Sequence, residues 1–446
     1  MRKSIPKALA LLCIAAAAQA CSGSKGNFPE TEPPAESAEA IPAEPVSVEI
    51  RQENGSYTLF RGGDAYYIKG AGGSHYLEQL AAHGGNSIRT WGTDDAQEVL
   101  DEAYRNGLTV TMGLEVGRER HGFDYDDPEA VAQQLTELRK EVELYKNHPA
   151  LLIWGIGNEL NLNYTNPFVW DAVNDIAKMI HEVDPNHPTS TMLAGINKME
   201  MEYIREKVPE LDILAVNSYG GLPDVPKRVR EFGWTGPYII TEWGPTGHWE
   251  SPQTPWGASV EETSSQKATV YKSRYEASMG QDKTRCLGSY VFLWGQKQER
   301  TPTWYGLFTE DGKESEVVDV MQYLWTGSWP QNRAPHLDSF KLDGKTATDS
   351  IYLAPDKSYR VNADVSDPDK DSLTYRYELL PESTDLQEGG DRESRPEPVP
   401  NRLSETSGDN ATLKAPSQEG AYRLFVYAYD GNDNVATANI PFYVKK

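Results

Sequence analysis

The sequence contains little cysteine, which excludes a domain built on a disulfide framework and a domain built around a zinc site. Only three cysteines occur in 446 residues. Cys13 and Cys21 belong to the N-terminal stretch, so Cys286 stands alone and the rest of the chain has no internal disulfide to form. Histidine and cysteine do not cluster with the spacing of a zinc site. We therefore expect no disulfide framework and no metal, and the composition implies no cofactor.

Positive charge is also in short supply. The chain has 43 Lys and Arg against 67 Asp and Glu, which gives a formal net charge of -24. Such a charge disfavours binding to nucleic acid or to an anionic membrane surface and suits a neutral substrate. We expect no nucleic-acid partner, and we treat the protein as a monomer.

The sequence has no long hydrophobic run, and its most apolar stretch belongs to a targeting signal. Basic residues near the start precede a run shorter than the roughly 20 residues that span a bilayer. The run ends in "AQAC", which resembles a bacterial lipoprotein signal. We expect residues 1–21 to be a lipoprotein signal peptide with lipid on Cys21, and residues 22–45 to be a disordered tether. The predicted location is the cell envelope, at the outer membrane or cell surface; secretion after cleavage at Ala20 is the alternative.

What the chain does have, from about residue 65, is a regular alternation of short apolar runs with amphipathic segments. Eight β/α repeats over about 260 residues predict an α/β fold, a (β/α)8 TIM barrel, over residues 46–333, after a hairpin at Asn54–Gly55. An open doubly wound sheet is the alternative, but the first run is not followed by a glycine-rich phosphate-binding fingerprint. The predicted strands are residues 65–70, 86–92, 108–116, 151–160, 190–195, 213–219, 238–244 and 287–295.

Residues 334–446 have short alternating runs and turn clusters, which predict a C-terminal immunoglobulin-like β-sandwich. We interpret this domain as a spacer or packing partner and residues 388–410 as a polar loop within it. Asp367, Asp369 and Asp371 alternate as calcium ligands do, but the rest of an EF-hand is absent, so a solvated turn is the favoured interpretation.

Polar and aromatic residues gather where the predicted barrel strands end. Functional residues of TIM barrels lie at the C-terminal ends of the strands, because the loops there form the open face. The interiors of the same runs carry almost no charge, so polar residues restricted to one end indicate a site rather than packing. The strand-end residues are Arg89, Trp91, Glu115, Asn158, Glu159, Asn217, Tyr219, Glu242, Trp243 and Trp294.

Two of these residues, Glu159 and Glu242, end the fourth and seventh strands and should face each other across the central pocket. Two carboxyl groups that flank a bond are what glycoside hydrolysis requires. One must be protonated and the other ionised, so their surroundings should separate their pKa values. Glycoside hydrolysis is therefore our hypothesis.

The motifs "WGIGNEL", "TEWG" and "NSIRTWG" resemble those of glycoside hydrolase clan A, especially the barrel of family 2. The resemblance implies a retaining mechanism through a covalent glycosyl–enzyme, with Glu159 as acid/base and Glu242 as nucleophile. It also implies that Asn158 binds the sugar 2-hydroxyl and that Tyr219 and Arg89 keep Glu242 ionised.

The aromatic residues at the predicted mouth are expected to contact sugar rings. The resemblance implies that Trp294 forms the floor of the sugar site, and we expect Trp91, Glu115, Asn217 and Trp243 to bind substrate or support the site. Of the tryptophans on or near mouth loops, two or three should contact the substrate. They are Trp234, Trp243, Trp249, Trp256 and Trp304.

The order of the domains guides the substrate hypothesis. The long β-domains that precede the barrel in family 2 are not found before this one, which disfavours exo-galactosidase or glucuronidase activity. A barrel followed directly by an immunoglobulin-like domain resembles the endo-β-1,3-glucanases of family 158, so we expect a laminarin-type β-glucan. One alternative is a β-glucanosyltransferase, since "YYIKG" is similar to the first strand of family 72. A second is another clan A β-glycosidase, such as a mannanase or galactosidase. A third is a non-catalytic glycan-binding lipoprotein. The presence of both acids disfavours the last.

Overall fold

A computed structural model describes residues 41–446. The predicted signal peptide, the lipidation site Cys21 and most of the predicted tether lie outside the described residues. Within residues 41–446, no α-helix combines the length and the apolar character that a membrane crossing requires.

A three-stranded antiparallel sheet precedes the barrel and closes its N-terminal end. Its first turn is the predicted Asn54–Gly55, where both residues have positive φ. Leu59 is fully buried and belongs to the same apolar cluster as Ile68 and Ile153, which lie in the first halves of barrel strands. The opposite, C-terminal end is therefore left as the open face. The strands are β1 (Val48–Glu53), β2 (Ser56–Arg61) and β3 (Asp64–Tyr66).

Eight parallel strands then form a closed barrel in chain order, and the last pairs with the first. Each of the eight predicted runs overlaps one of these strands, so the predicted (β/α)8 barrel is confirmed. The strands are apolar because one face lines the barrel and the other packs against helices. They are β4 (Ile68–Gly72), β5 (Ser87–Arg89), β6 (Thr109–Leu114), β7 (Leu151–Asn158), β8 (Thr189–Ala194), β9 (Ile213–Asn217), β10 (Tyr238–Trp243) and β11 (Cys286–Val291).

Within the described range, α-helices follow the barrel strands and cover the outer face of the barrel. The helix after the third barrel strand begins at Pro128, and the Asp127 side chain accepts hydrogen bonds from backbone N–H groups of its first turn. The helices are α1 (Leu77–Ala82), α2 (Ala96–Arg105), α3 (Pro128–Tyr145), α4 (Phe168–Val183), α5 (Lys198–Lys207), α6 (Val225–Glu231), α7 (Ser264–Ala277) and α8 (Glu316–Thr326).

The C-terminal region forms two β-sheets around a second apolar core, which confirms the predicted sandwich. Four strands make one sheet and five make the other, and the shortest strand of the larger sheet comes from the barrel segment before α8. The strands are β12 (Glu314–Ser315), β13 (His336–Leu342), β14 (Ile351–Leu353), β15 (Ser358–Ser366), β16 (Thr374–Pro381), β17 (Leu403–Ser407), β18 (Asn410–Lys414), β19 (Gly420–Tyr429) and β20 (Asn434–Val444).

Buried polar contacts join the sandwich to the barrel. The carboxylate of Glu261 accepts hydrogen bonds from Lys267 on the barrel side and from Asn439 of β20. Arg423 of β19 donates to the backbone oxygen of Ser259 at 2.8 Å. The sandwich is therefore a packing partner of the barrel rather than a detached spacer.

The acidic turn of the sandwich is held by its own backbone. The N–H groups of Asp369 and Asp371 each donate to Asp367 Oδ1 at 2.9 Å, as expected for a turn. Carboxylate oxygens of Asp367, Asp371 and Asp430 lie within 4.8 Å of one another, whereas Asp369 accepts from the N–H of Arg333. These hydrogen bonds agree with the turn that the sequence favoured, and the third carboxylate close to Asp367 and Asp371 is that of Asp430 and not that of Asp369.

The Glu261 contact predicts a large stability effect. Glu261→Ala leaves the buried ammonium of Lys267 without its counter-charge, so we expect the free energy of unfolding to fall by about 3–5 kcal/mol in chemical denaturation. Glu276→Ala, which removes the partner of the exposed Lys272, is the control and should leave the free energy of unfolding nearly unchanged. Equal losses in the two variants would contradict the importance of this contact.

Candidate active site

A cavity of about 1040 Å³ lies at the C-terminal end of the barrel. Its lining includes the predicted residues Asn158, Glu159, Asn217, Tyr219 and Glu242. These residues come from the ends of β7, β9 and β10 or from the loops that follow them, so the structure brings together side chains that are far apart in the sequence.

The Glu159 side chain depends on a sharp turn at the end of β7. Gly157 has φ +69°, and a Cβ there would lie 2.7 Å from Leu160 Cδ1. Glu159 itself has φ +54°, and its N–H donates to the backbone oxygen of Met192 at 2.8 Å. The glycine in "GNEL" is therefore required by the backbone, and the turn that it allows places Glu159 in the cavity wall.

The Glu242 carboxylate receives hydrogen bonds on both of its oxygens. Oε1 accepts from Arg89 Nη1 at 2.6 Å and from Trp91 Nε1 at 2.9 Å. Oε2 accepts from the Tyr219 hydroxyl at 3.2 Å. The Arg89 guanidinium also lies 4.8 Å from the Trp91 ring centre. These donors stabilise negative charge on Glu242, as predicted for Arg89 and Tyr219.

Two amide side chains connect the surroundings of the two acids. Asn158 Oδ1 accepts from Arg89 Nη2 at 2.5 Å and from Asn217 Nδ2 at 3.1 Å. The same Asn217 Nδ2 donates to Glu159 Oε1 at 2.9 Å. Because the Asn158 oxygen is occupied by two donors, its amide nitrogen is the group available to a ligand in the cavity.

The two acids lie in different electrostatic environments. Burial and, second to it, the nearby charge of Glu242 raise the pKa of Glu159 to about 7, although the Asn217 hydrogen bond opposes both effects. Glu242 has an arginine and two further donors, whereas Glu159 has one amide donor. The protonated form therefore persists on Glu159 near neutral pH, as an acid catalyst requires.

Trp294 and Trp243 do not line the cavity, which corrects two of our predictions. Trp294 is 1% exposed, donates from Nε1 to the Tyr76 oxygen and packs against Phe308. Trp243 is fully buried against Tyr271 of α7. Side chains alternate along a strand, so Glu242 points into the barrel and its neighbour Trp243 points toward the helices.

The prediction that Glu115 belongs to the substrate site is also wrong. Its side chain is exposed, and it is not among the described residues that line the cavity. Burial raises the pKa of Glu141 on α3, a hydrogen bond from Thr93 opposes this effect, and the charge of Glu115 adds to the rise. Glu115 follows β6 on its outward-facing side, where the helices lie.

Two of the five mouth tryptophans line the cavity, namely Trp249 and Trp256. Trp249 is 57% exposed and its ring meets that of Tyr219 edge-on at 5.4 Å. Trp234 and Trp304 are buried, and Trp304 donates to the backbone oxygen of Thr246. Trp249 is therefore the aromatic side chain best placed to stack on a sugar ring.

Several lining residues were not predicted. Phe292 and Lys297 follow β11. The charged stretch "QKQER" directly after the predicted strand, residues 287–295, is a signal that could have identified Lys297. Arg118 follows β6 and donates from Nε to the Asn158 backbone oxygen at 3.2 Å. A segment of the β-sandwich, residues 382–391, also contributes to the lining. No sequence pattern indicates this last contribution, because it depends on how two domains pack.

Comparison with known proteins agrees with this geometry. Residues 80–247 match the family model described as "Glycosyl hydrolases family 2, TIM barrel domain". This match lies within the barrel and confirms the resemblance to clan A glycoside hydrolases that the strand-end motifs indicated.

Solved structures share the fold at low sequence identity. A β-glucuronidase of Ruminococcus gnavus is similar with a TM-score of 0.50 and 17% identity, over 63% of this chain and 53% of that one. A calcium-binding mutant of Bacteroides uniformis β-glucuronidase 2 has a TM-score of 0.50 and 16% identity, over 89% of this chain and 48% of that one. A family 2 β-galacturonidase of Eisenbergiella tayi has a TM-score of 0.49 and 19% identity, over 63% and 55%. The chain thus spans about half the length of these proteins.

The raised pKa of Glu159 predicts a pH-dependent stability. The folded protein holds this proton more tightly than the unfolded chain, so the contribution is complete below about pH 4.5 and is lost as the pH rises through about 7. Between those values, Glu159→Gln should gain roughly 3 kcal/mol in unfolding free energy relative to the unsubstituted protein, measured by denaturation at a series of pH values. Glu276→Gln, at an exposed position, should show no such trend. A constant difference for Glu159→Gln across the range would contradict the prediction.

Proposed function

We propose that this chain, whose barrel matches the family 2 TIM barrel domain of glycoside hydrolases, is a retaining β-glycoside hydrolase. One observation carries the proposal: Glu242, held by three donors, and Glu159, with a pKa raised to about 7, line the same cavity. A retaining mechanism also requires about 5–5.5 Å between the two carboxyl groups.

In the first step, a Glu242 oxygen attacks the anomeric carbon while Glu159 gives its proton to the departing glycosidic oxygen. The bond from the anomeric carbon to that oxygen breaks, and a glycosyl ester forms on Glu242. In the second step, Glu159, now a carboxylate, takes a proton from water as the water oxygen attacks the same carbon. Glu242 leaves as a carboxylate, and both acids return to their starting states.

The surrounding side chains position these two acids. Arg89, Trp91 and Tyr219 donate to the Glu242 carboxylate and fix its orientation through the hydrogen bonds described above. Asn217 holds Glu159, and the amide nitrogen of Asn158 is placed to donate to the 2-hydroxyl of the reacting sugar. Such a hydrogen bond strengthens in the transition state.

We propose a neutral β-glucan as substrate, with β-1,3-linked laminarin as the first candidate. Two of the cavity's cations are already neutralised, since Lys297 pairs with Glu299 at 2.7 Å and Arg300 with Glu393 at 3.1 Å. These pairings weigh against negatively charged uronides, the sugars after which the similar solved enzymes are named. A glucanosyltransferase or another clan A β-glycosidase would use the same two acids. Lipid attachment at Cys21, and with it a cell-envelope location, remains part of this proposal.

The activity test compares the unsubstituted protein, Glu242→Gln and Glu276→Gln on laminarin, mixed-linkage glucan, mannan and galactan. We expect laminarin to be the best substrate and Glu242→Gln to lose several orders of magnitude in kcat, because removing the nucleophile removes the covalent route. Glu276→Gln alters only an exposed helix residue and should retain full activity.

The stereochemistry of the first product, followed by NMR, separates retention from inversion. We expect the β-anomer to appear first. An initial α-anomer, or a Glu242→Gln variant as active as the unsubstituted protein, would overturn the proposal. Products longer than the supplied oligosaccharide would instead indicate the transferase.

A further inference from the structure

A loop of the β-sandwich lies across the open end of the barrel. This sandwich loop, residues 382–395, is the first part of the connection from β16 to β17. Lys297 Nζ donates to the Gly390 oxygen at 2.6 Å, and Arg120 Nη1 lies 3.0 Å from Asp391 Oδ2. Asn163 Nδ2 donates to Glu388 Oε2 at 3.0 Å. The loop thus contacts the segments that follow β6, β7 and β11.

The sandwich loop is fixed in this position by buried contacts. Glu393 is 4% exposed and accepts hydrogen bonds from the backbone N–H of Arg300 at 2.6 Å and from its Nη1 at 3.1 Å. Gly389 has φ +61°, and a Cβ there would lie 2.8 Å from both Arg120 Nη2 and Leu162 Cδ2. The close approach of the loop to the barrel therefore requires glycine at this position.

The sandwich loop faces the same cavity as the two acids. Leu386 and Glu388 line it, together with Gly389, Gly390 and Asp391. Leu386 is 53% exposed although it belongs to a cavity wall, so it presents an apolar surface to whatever enters. In the described part of the chain, neither Leu386 nor Glu388 has a hydrogen bond or ion pair with Glu159 or Glu242.

We propose that the sandwich loop is a substrate-binding element that holds sugar units beyond the bond being cleaved. Leu386 packs against the apolar face of a sugar ring, and the Glu388 oxygen not used by Asn163 accepts a hydrogen bond from a sugar hydroxyl. The ligand is a neutral, hydroxyl-rich oligosaccharide, and this identification rests on the proposed function. The C-terminal domain therefore takes part in substrate selection, and its contribution grows with the length of the substrate.

The test measures kcat/KM for laminarihexaose and for an aryl β-glucoside, whose single sugar occupies only the reaction centre. In full-length Leu386→Ala and Glu388→Gln, the ratio of the two values should fall about tenfold, as expected for losing one good contact. Arg392→Ala changes an exposed residue of the same loop outside the cavity lining. It should leave the ratio unchanged. Thermal melting of each variant shows whether it is folded.

A second measurement separates this inference from the proposed function. Calorimetric titration of laminarihexaose into Glu242→Gln, with and without Leu386→Ala, reports binding without turnover. Weaker binding with Leu386→Ala supports the sandwich loop even if the unsubstituted protein hydrolyses nothing. If the protein hydrolyses laminarihexaose but Leu386→Ala changes neither the ratio of the two kcat/KM values nor the affinity, the proposed role of the loop is wrong. The proposed hydrolase function would be unaffected by that result. Absence of any binding would overturn both.

Discussion

The contact between Arg89 and Glu242 is the interaction on which the proposed chemistry depends. Both side chains are buried, and their closest atoms lie 2.6 Å apart. A lone carboxylate at this depth would be costly, and the arginine offsets that cost while keeping the negative charge at the cavity. Because the other terminal nitrogen of Arg89 binds Asn158, the same guanidinium also orders the amide that faces the proposed sugar site.

This contact separates the roles of two chemically identical residues. Arg89 gives its direct ion pair to Glu242 and reaches the surroundings of Glu159 through Asn158 and Asn217. Burial, together with the negative charge of Glu242, raises the pKa of Glu159. The negative charge on Glu242 therefore helps to keep Glu159 protonated. Double displacement requires this pair of states, an ionised nucleophile and a protonated acid.

The sequence was sufficient for the barrel and for the centre of the site because both depend on local patterns. Apolar runs mark parallel strands, and the C-terminal ends of those strands converge, so Glu159 and Glu242 could be placed together from spacing alone. The fact that a residue lies at the end of a strand did not determine whether its side chain faces the cavity or the surrounding helices. Trp243 follows Glu242 directly yet packs outward, and Trp294 lies beyond the strand, where Phe292 and not the tryptophan lines the cavity.

The position of the sandwich loop at the cavity could not be predicted from the sequence, for a different reason. Its polar composition is typical of any solvated loop, and its position depends on the packing of two domains through residues such as Glu261 and Arg423. No periodicity or motif in the sequence predicts contacts between two domains. Only the three-dimensional arrangement connects Glu388 with Asn163, residues of two different domains.

The central claim is that Glu242 becomes covalently attached to the sugar. A 2-deoxy-2-fluoro-β-laminaribiosyl fluoride tests it, because the fluorine at C2 slows both steps while the good leaving group still allows the first. Mass spectrometry of the labelled and digested protein should find one 2-deoxy-2-fluoro-laminaribiosyl group, a disaccharide, on the peptide that contains Glu242. A label on Glu159 or on any other residue, in a protein that hydrolyses β-glucan, would contradict the account.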